Sequence, residues 1–223
     1  MPSDCAINLQ LSGRLCVVVG AGRIGRHKAE RFLDAGASVR LIDPLGQKIL
    51  PPDGAEMVNR EYRTGDLDGA LLAVAATNRP EVNRQVAEDA RRSGLLVSVV
   101  DNRAASDFSL PAVRQQGQLR LTVSTAGLSP ALARVVADRL FETLGPGWDL
   151  LLELAGCLRG WQLTHPEHTA YNSSILRQLI DRGLVEELAD SRFDLVDQLL
   201  TETCGAGCTL ADLGLKLPRE HDR

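Results

Sequence analysis

The sequence predicts an α/β protein with a Rossmann-like, doubly wound parallel sheet, followed by a hairpin–helix segment and a small helical domain. Apolar strand-like runs alternate with helical spacing through residue 112, and the first run leads directly into a glycine-rich turn. Beyond this region the pattern changes to a hairpin and then to helical spacing alone. We therefore expect three parts: a dinucleotide-binding domain over 1–112, a dimerisation segment over 113–147 and a helical domain over 148–223.

The first strand and the turn after it are the most informative part of the chain. Leu15 to Val19 run into Gly20-x-Gly22-x-x-Gly25. In such a motif the first glycine permits a tight turn, the second lets the backbone approach a pyrophosphate, and the third lets the helix pack closely on the strand. The start of that helix offers free N–H groups to the phosphates. The motif predicts a dinucleotide site, and a glycine turn without a ligand is the alternative.

The second strand indicates which dinucleotide is bound. Ser38 to Ile42 end at Asp43, 18 residues after Gly25. A carboxylate at this position accepts hydrogen bonds from both ribose hydroxyls and repels a 2′-phosphate, which favours NAD over NADP.

Three further strands complete the predicted sheet. Residues 56–60 form a weak third strand, 71–76 a buried fourth strand and Leu95 to Val100 a fifth, with a helix from Pro80 between the last two. The glycine-rich first turn predicts the strand order 3-2-1-4-5. Ligands of such sheets lie beyond the carboxyl ends of the strands, so we expect the nicotinamide near Thr77-Asn78 and Asp101.

Asp101 follows an apolar strand, and its carboxylate would be partly desolvated there. Partial desolvation raises the proton affinity of a carboxylate and suits it to general-base work. The alternative is that Asp101 caps a turn together with Asn102.

The second half of the chain predicts a hairpin and then helices. Strands at 108–113 and 119–124 flank Gln-Gln-Gly-Gln, and Ser129-Pro130 opens a helix with an N-cap serine. The apolar residues expected to line one side of this helix are Leu132, Val135, Val136, Leu140 and Leu144. Helical spacing continues over 148–160, 173–189 and 192–203, and we expect the tail after Gly205 to be loosely held.

Composition excludes several function classes. The net charge of −4 argues against nucleic acid as a partner, and no apolar run of 18 residues is present to span a membrane. The N-terminus lacks the pattern of a signal peptide, so we expect a cytoplasmic protein. The five cysteines do not form a disulfide framework. Cys204 and Cys208 surround Gly-Ala-Gly, which indicates either a partial metal site or a mobile glycine turn, and we assign no metal ligand.

The chain resembles the precorrin-2 dehydrogenase family, the N-terminal module of siroheme synthases, some members of which also act as sirohydrochlorin ferrochelatases. Four stretches carry the resemblance: 17–28 with the glycine turn, 75–83 with Ala-Ala-Thr-Asn, 99–111 with Val-Val-Asp-Asn, and 123–134 with Val-Ser-Thr-Ala-Gly-Leu-Ser-Pro. By the order and spacing of these stretches, the resemblance extends over roughly residues 8–145.

The resemblance implies oxidation of precorrin-2 to sirohydrochlorin with NAD, in a homodimer, with Fe²⁺ as a further substrate in members that insert iron. It implies that Asp101 is the catalytic residue and that Ser124, Thr125, Gly127 and Ser129 lie near the tetrapyrrole. Together with the glycine motif it assigns cofactor binding to Gly20, Gly22, Arg23, Ile24, Gly25, Asp43, Pro44, Thr77 and Asn78.

Some residues depart from the family pattern. The Ser-Gly-Gly of some members is replaced by Thr125-Ala126-Gly127, residues 150–223 match only loosely, and no methyltransferase domain follows in this sequence. The family more often carries a small or neutral residue at the position of Asp43. A non-catalytic NAD-sensing or regulatory module is the alternative function, and it would need neither Asp101 nor the Ser124–Ser129 stretch.

Overall fold

The computed structural model describes residues 5–100, 102–165 and 171–215. The chain divides into two compact units, Met1–Leu110 and Pro111–Arg223. Within the described residues no helix has both the length and the apolar character needed to cross a bilayer.

The first unit contains a five-stranded parallel sheet. Its strands are β1 (Leu15–Val19), β2 (Ser38–Ile42), β3 (Ala55–Val58), β4 (Ala70–Ala75) and β5 (Leu96–Val99), in the order β3-β2-β1-β4-β5. The predicted fold class and strand order are confirmed.

Two helices cover the two faces of this sheet. Helix α1 (Arg23–Asp34) contributes Ala29 and Phe32 to a core that also holds Cys16 and Val18. Helix α2 (Pro80–Arg92) contributes Val86, Ala87 and Ala90 to a separate core that holds Val17 and Val19. Successive side chains of a strand point to opposite faces, so alternate residues of β1 serve opposite cores. This burial on both faces explains why β1 reads as one continuous apolar run.

The second unit begins with an antiparallel hairpin, β6 (Ala112–Gln116) and β7 (Leu119–Val123), on which helix α3 (Pro130–Glu142) packs. The first hairpin strand was expected from residue 108. It starts at Ala112 because Phe108 and Leu110 pack against the α1-side core of the first unit instead. The tight turn is formed at Gly117, whose φ of 51° suits glycine.

Helix α3 does not bury the large apolar residues that were expected to line one of its sides. Its buried residues are Ala133 and Ala137, whereas Leu132, Val135 and Leu140 are 53%, 56% and 47% exposed. Small residues therefore make the contact with the hairpin, and the larger apolar side chains form an exposed face.

Four helices follow: α4 (Gly147–Thr164), α5 (Ser173–Asp181), α6 (Leu184–Ala189) and α7 (Phe193–Cys204). The prediction of a single helix over 173–189 is wrong. Gly183 adopts a left-handed φ of 91°, which interrupts the helix and separates α5 from α6.

The tail also differs from the expectation. Cys208, Leu210 and Leu213 are buried in the helical core together with Leu184 and Leu200. The tail is therefore packed, not loosely held, through residue 215.

Candidate functional site

The glycine turn lies where β1, α1 and β4 approach one another. Gly20 has a φ of 103°, and a Cβ added to it would lie 2.5 Å from the carbonyl oxygen of Ala76 after β4. A Cβ on Gly25 would overlap the carbonyl oxygen of Gly20. These two positions need glycine for packing and backbone geometry, as the motif predicts.

Gly22 differs from the other two glycines of the motif. A Cβ added there would meet no atom within 4 Å, and the residue is exposed. Gly22 is the N-cap of α1; it has no side chain to bond the first N–H groups, and the first turn of α1 contains no acidic residue. Arg23 and Ile24 in that turn are exposed. An uncapped helix start that faces open space fits a pyrophosphate.

Asp43 lies beside this turn. Its Oδ2 accepts a hydrogen bond from the Ala21 N–H at 2.7 Å, and its Oδ1 accepts one from the Leu45 N–H at 2.7 Å. The side chain is half-buried, and Pro44 after it is exposed. A carboxylate has about four acceptor sites, so two N–H donors leave capacity for ribose hydroxyls. The arrangement fits the adenosine half of a dinucleotide.

Thr77 and Asn78 follow β4 on the other side of the turn. The Thr77 hydroxyl donates to Asn83 Oδ1 at 2.7 Å, the Thr77 N–H donates to the same atom at 3.1 Å, and Asn83 Nδ2 donates to the Thr77 carbonyl at 3.0 Å. Asn83 was not predicted as a site residue. Its signal in the sequence was its place at the end of the stretch 75–83 that resembles the family. Asn78 is exposed.

Asp101 lies outside the described residues, but the residues on either side of it are described. The Val100 N–H donates to the Ala75 carbonyl at 2.9 Å, and the Asn102 N–H donates to the Val99 carbonyl at 3.2 Å. Asn102 Oδ1 accepts from the Ala105 N–H at 3.1 Å, which caps a short 3₁₀ turn over Arg103–Ala105.

A cavity of about 420 Å³ in the first unit lies between α2 and the residues that follow β5. Its lining includes the basic Arg84 and Arg91, the acidic Glu88, and the amides Asn83 and Asn102. Guanidinium groups at this position suit a ligand that carries carboxylates.

The loop between β7 and α3 is held by its own hydroxyl groups. Thr125 Oγ1 accepts from the Ser129 N–H at 3.1 Å and donates to the Ser129 carbonyl at 3.0 Å. Ser124 Oγ accepts from the Ala126 N–H at 3.2 Å, and Ser129 Oγ caps α3 by accepting from the Leu132 N–H at 3.2 Å. The expected N-cap at Ser129 is confirmed. Ser124 and Gly127 are exposed, and their contact with a substrate stays a prediction.

Cys204 and Cys208 are buried in the helical core of the second unit. A hydrogen bond with Cys204, followed by burial, raises the pKa of the Cys208 thiol far above its usual value. His168 and His221 lie outside the described residues. No group of three or more potential metal ligands occurs within the part of the chain that the structure describes.

Three comparisons with known proteins agree with this geometry. Residues 7–112 match a family model described as "Putative NAD(P)-binding". The chain is 36% identical over 149 residues to a siroheme synthase of Azotobacter vinelandii, covering 65% of this chain and 32% of that protein. It is 37% identical over 161 residues to a siroheme synthase of Chromobacterium violaceum, covering 69% of this chain and 33% of that protein. The chain thus spans about a third of the length of these relatives.

Among solved structures, the chain is similar to the one described as "SirC, precorrin-2 dehydrogenase". The TM-score is 0.63 at 23% identity, covering 88% of this chain and 98% of that chain. At this identity the similarity establishes the fold, and the sequence matches establish homology to siroheme synthases.

Proposed function

We propose that this chain, a homologue of siroheme synthases that contains an NAD(P)-binding domain, oxidises precorrin-2 to sirohydrochlorin with NAD. The observation that carries the proposal is the open, uncapped start of α1 at Gly22, with the Asp43 carboxylate beside it. The printed name of the structural neighbour, a precorrin-2 dehydrogenase, supports the same reaction.

The residues of the chain have distinct tasks in this proposal. The N–H groups at the start of α1 hold the pyrophosphate, together with Arg23 and Ile24, and Asp43 and Pro44 hold the adenine ribose. Thr77 and Asn78 lie on the nicotinamide side, where the Asn83 amide fixes Thr77. NAD, when bound, supplies an acceptor for the hydride.

The reaction removes one hydride and one proton from the macrocycle. Asp101 takes the proton in this proposal, because a carboxylate at the end of an apolar strand is suited to act as a general base. The Asp101 carboxylate is then regenerated, because it passes the proton on to solvent. Asp101 is the only catalytic residue that we assign.

The substrate is a polycarboxylate, so basic groups near the site contribute to its binding. Arg84 and Arg91 line the cavity after β5, and Arg84 is suited to this task. Arg91 already donates to the Ala105 carbonyl at 2.7 Å, and Arg114 is engaged by Asp138 at 2.5 Å. Ser124, Thr125, Gly127 and Ser129 contact the tetrapyrrole in the proposal, which also includes a homodimer and a cytoplasmic location.

The test is incubation of the purified chain with precorrin-2 and NAD, followed by absorbance for sirohydrochlorin. We expect turnover by the unmutated chain and loss of turnover in Asp101→Asn, with NAD binding retained. Ser109→Ala, at an exposed serine in the same region, is the control and should behave as the unmutated chain. NAD binding without turnover, under conditions in which a known dehydrogenase works, would contradict the proposal and favour a non-catalytic NAD-binding module.

A further inference from the structure

The cavity of about 420 Å³ between α2 and the residues after β5, here named the α2 cavity, adjoins the carboxyl ends of the last two strands of the sheet. Helix α2 begins shortly after β4, and Asn83 and Arg84 near its start line the cavity. Asn83 is also bonded to Thr77, which we place on the nicotinamide side. On the other side, Val100 and Asn102 line the cavity just after β5. A group bound in this cavity would therefore lie next to the place proposed for the nicotinamide.

The α2 cavity suits one side chain of a macrocycle rather than a whole ring system. Its volume is near the lower end of the range of about 300–1,000 Å³ that is usual for small-molecule sites. Its walls include the buried apolar residues Ala87 and Val99, which can contact methylene groups. The charged residues of its lining are Arg84, Glu88 and Arg91. A side chain that combines methylene groups with a carboxylate matches this mixture of surfaces.

The two guanidinium groups of the cavity differ in their availability. Arg91 donates to the Ala105 carbonyl at 2.7 Å. Within the part of the chain that the structure describes, the Arg84 side chain forms neither a hydrogen bond nor an ion pair. Glu81, which lies one turn before Arg84 on α2, is bonded by Arg79 at 2.8 Å instead. Arg84 is thus the guanidinium of the cavity that remains able to bind a carboxylate through two parallel N–H groups.

Glu88 makes the two ends of the cavity electrostatically different. It follows Arg84 by four residues, which places it on the same side of α2 and about 6 Å further along the helix axis. This spacing allows an ion pair, but no such pair joins the two side chains among the described residues. The Glu88 carboxylate repels an anion, so the cavity favours an anion at its Arg84 end. That end is the one near the start of α2 and the ends of the strands.

We propose that the α2 cavity is a subsite for one carboxylate-bearing side chain of the substrate, in which Arg84 binds the carboxylate and Glu88 confines it to the Arg84 end. This assignment rests on the proposed function, because the substrate is the polycarboxylate named there, and it gives Arg84 a role in substrate specificity. The bound carboxylate takes no part in the loss of the hydride and the proton. Arg84 therefore contributes equally to binding of the substrate and of the transition state, so its loss falls on KM and not on kcat.

The experiment compares Arg84→Gln, Arg84→Lys, Glu88→Gln and a matched control, Arg14→Gln. Arg14 is an exposed arginine directly before β1, at the opposite edge of the sheet from the strand ends that adjoin the cavity. Two measurements use precorrin-2 and NAD, namely KM and kcat for the oxidation. Two others need no turnover, namely the dissociation constant of NAD and that of sirohydrochlorin, the product, from an absorbance titration.

We expect Arg84→Gln to raise both KM for precorrin-2 and the dissociation constant of sirohydrochlorin about tenfold, with kcat and NAD binding changed less than about twofold. Arg84→Lys should raise both about threefold, because an ammonium group keeps the charge but loses the planar fork. Glu88→Gln should lower both about twofold, because it removes a repulsive charge. Arg14→Gln should change neither. In about 1 M NaCl, where the Debye length is about 3 Å, the effect of Arg84→Gln should shrink.

Three results would overturn the assignment of Arg84. The first is an Arg84→Gln variant that binds sirohydrochlorin as tightly as the unmutated chain. The second is an equal weakening by Arg84→Gln and Arg14→Gln, which indicates an effect of net charge alone. The third is a weakening by Glu88→Gln as large as that by Arg84→Gln, which indicates altered packing of α2 and not a charge contact.

Failure of the proposed function gives a different result. An unmutated chain that binds sirohydrochlorin but does not oxidise precorrin-2 contradicts the proposed activity, and the dissociation constants of the four variants then still decide the role of Arg84. An unmutated chain that neither binds sirohydrochlorin nor oxidises precorrin-2 overturns both the activity and the subsite.

Discussion

The Asp43 carboxylate accepts a hydrogen bond from the Ala21 N–H at 2.7 Å, which ties the end of β2 to the glycine turn after β1. The residue expected to select the cofactor therefore also supports the loop that we expect to hold the pyrophosphate. Substitutions at Asp43 will change both properties, and they need to be separated.

We expect NAD to bind at least about tenfold more tightly than NADP, because a carboxylate repels a 2′-phosphate, and a tenfold preference corresponds to about 1.4 kcal/mol. Asp43→Ser and Asp43→Asn should both narrow this preference. Asp43→Asn retains an acceptor for one N–H, so it should weaken NAD binding less. Dissociation constants from calorimetry check this, and equal values for the two cofactors in the unmutated chain would refute it.

Ala126 has a φ of 53°, in the left-handed region that favours glycine. A non-glycine residue in this conformation destabilises the folded state by about 1–2 kcal/mol. Glycine removes this strain, but its greater freedom in the unfolded chain offsets part of the gain in stability. We expect Ala126→Gly to raise the free energy of unfolding by about 0.5–1 kcal/mol in urea denaturation.

Ala131→Gly is the control for this change. It lies at an exposed position within α3 and should be destabilising by about 1 kcal/mol. Destabilisation by both substitutions would show that the loop does not adopt this conformation in solution.

Asp66 makes the stability of the first unit depend on pH. Hydrogen bonds from Arg60, at 2.7 and 2.8 Å, and from the Arg63 N–H hold the pKa of Asp66 below its usual value. Since the folded-state pKa is depressed, this stabilisation is present above the unfolded pKa of about 3.9 and is lost as the pH falls through the folded value.

Asp66→Asn should therefore lower the free energy of unfolding at pH 7 by about 1–2 kcal/mol and have less effect at pH 3. Urea denaturation at both values measures this difference. Asp68→Asn, at an exposed neighbouring carboxylate, should show a much smaller change at pH 7. A loss of stability that is equal at both pH values would contradict the assignment to Asp66.

The exposed face of α3 predicts self-association. Leu132, Val135 and Leu140 are each about half exposed, and the two-stranded hairpin beneath α3 has free edges. We expect a homodimer at micromolar concentration by light scattering, and Val135→Asp should shift the mass toward the monomer. Leu163→Asp, at a residue of α4 that is 79% exposed, should leave the mass unchanged. A monomeric mass for the unmutated chain would contradict the prediction.

Iron insertion, if the chain catalyses it, should depend on Asp101 and not on the cysteines. A base must take the pyrrole protons, whereas Cys204 and Cys208 are buried in an apolar core. Asp101→Ala should abolish both reactions, and Cys204→Ser and Cys208→Ser should retain both, per folded protein. A cysteine variant that still oxidises precorrin-2 but no longer inserts Fe²⁺ into sirohydrochlorin would show that the pair has a role in chelation.

Local patterns predicted much of the first unit. The β1 strand, the glycine turn and Asp43 are close in sequence, and Gly20 and Gly25 meet geometric needs that no other residue fills. The strand order followed from the same motif. Such features are encoded within about thirty residues of chain.

Residues whose role depends on tertiary contacts were not predicted. Asn83 and Ser106 lie in stretches that resemble the family, but only the structure shows that they bond to Thr77 and Val99. In α3, helical periodicity placed the large apolar residues on one side, but it did not show that Ala133 and Ala137 are the residues that the helix buries. Cys208 and Leu210 follow a glycine turn, and only the core formed by α4 to α7 explains why they are buried.

Substitutions at the three glycines of the turn do not report equally well on ligand binding. A side chain at Gly20 or Gly25 would collide with backbone, so a variant that no longer binds NAD reports only on folding. Gly22 has open space around it and an ordinary backbone φ of −63°. A methyl group placed there leaves the strand–helix contact intact and occupies only the volume that a ligand would need. Gly22 is therefore the position in this turn where loss of binding can be attributed to steric exclusion of the ligand.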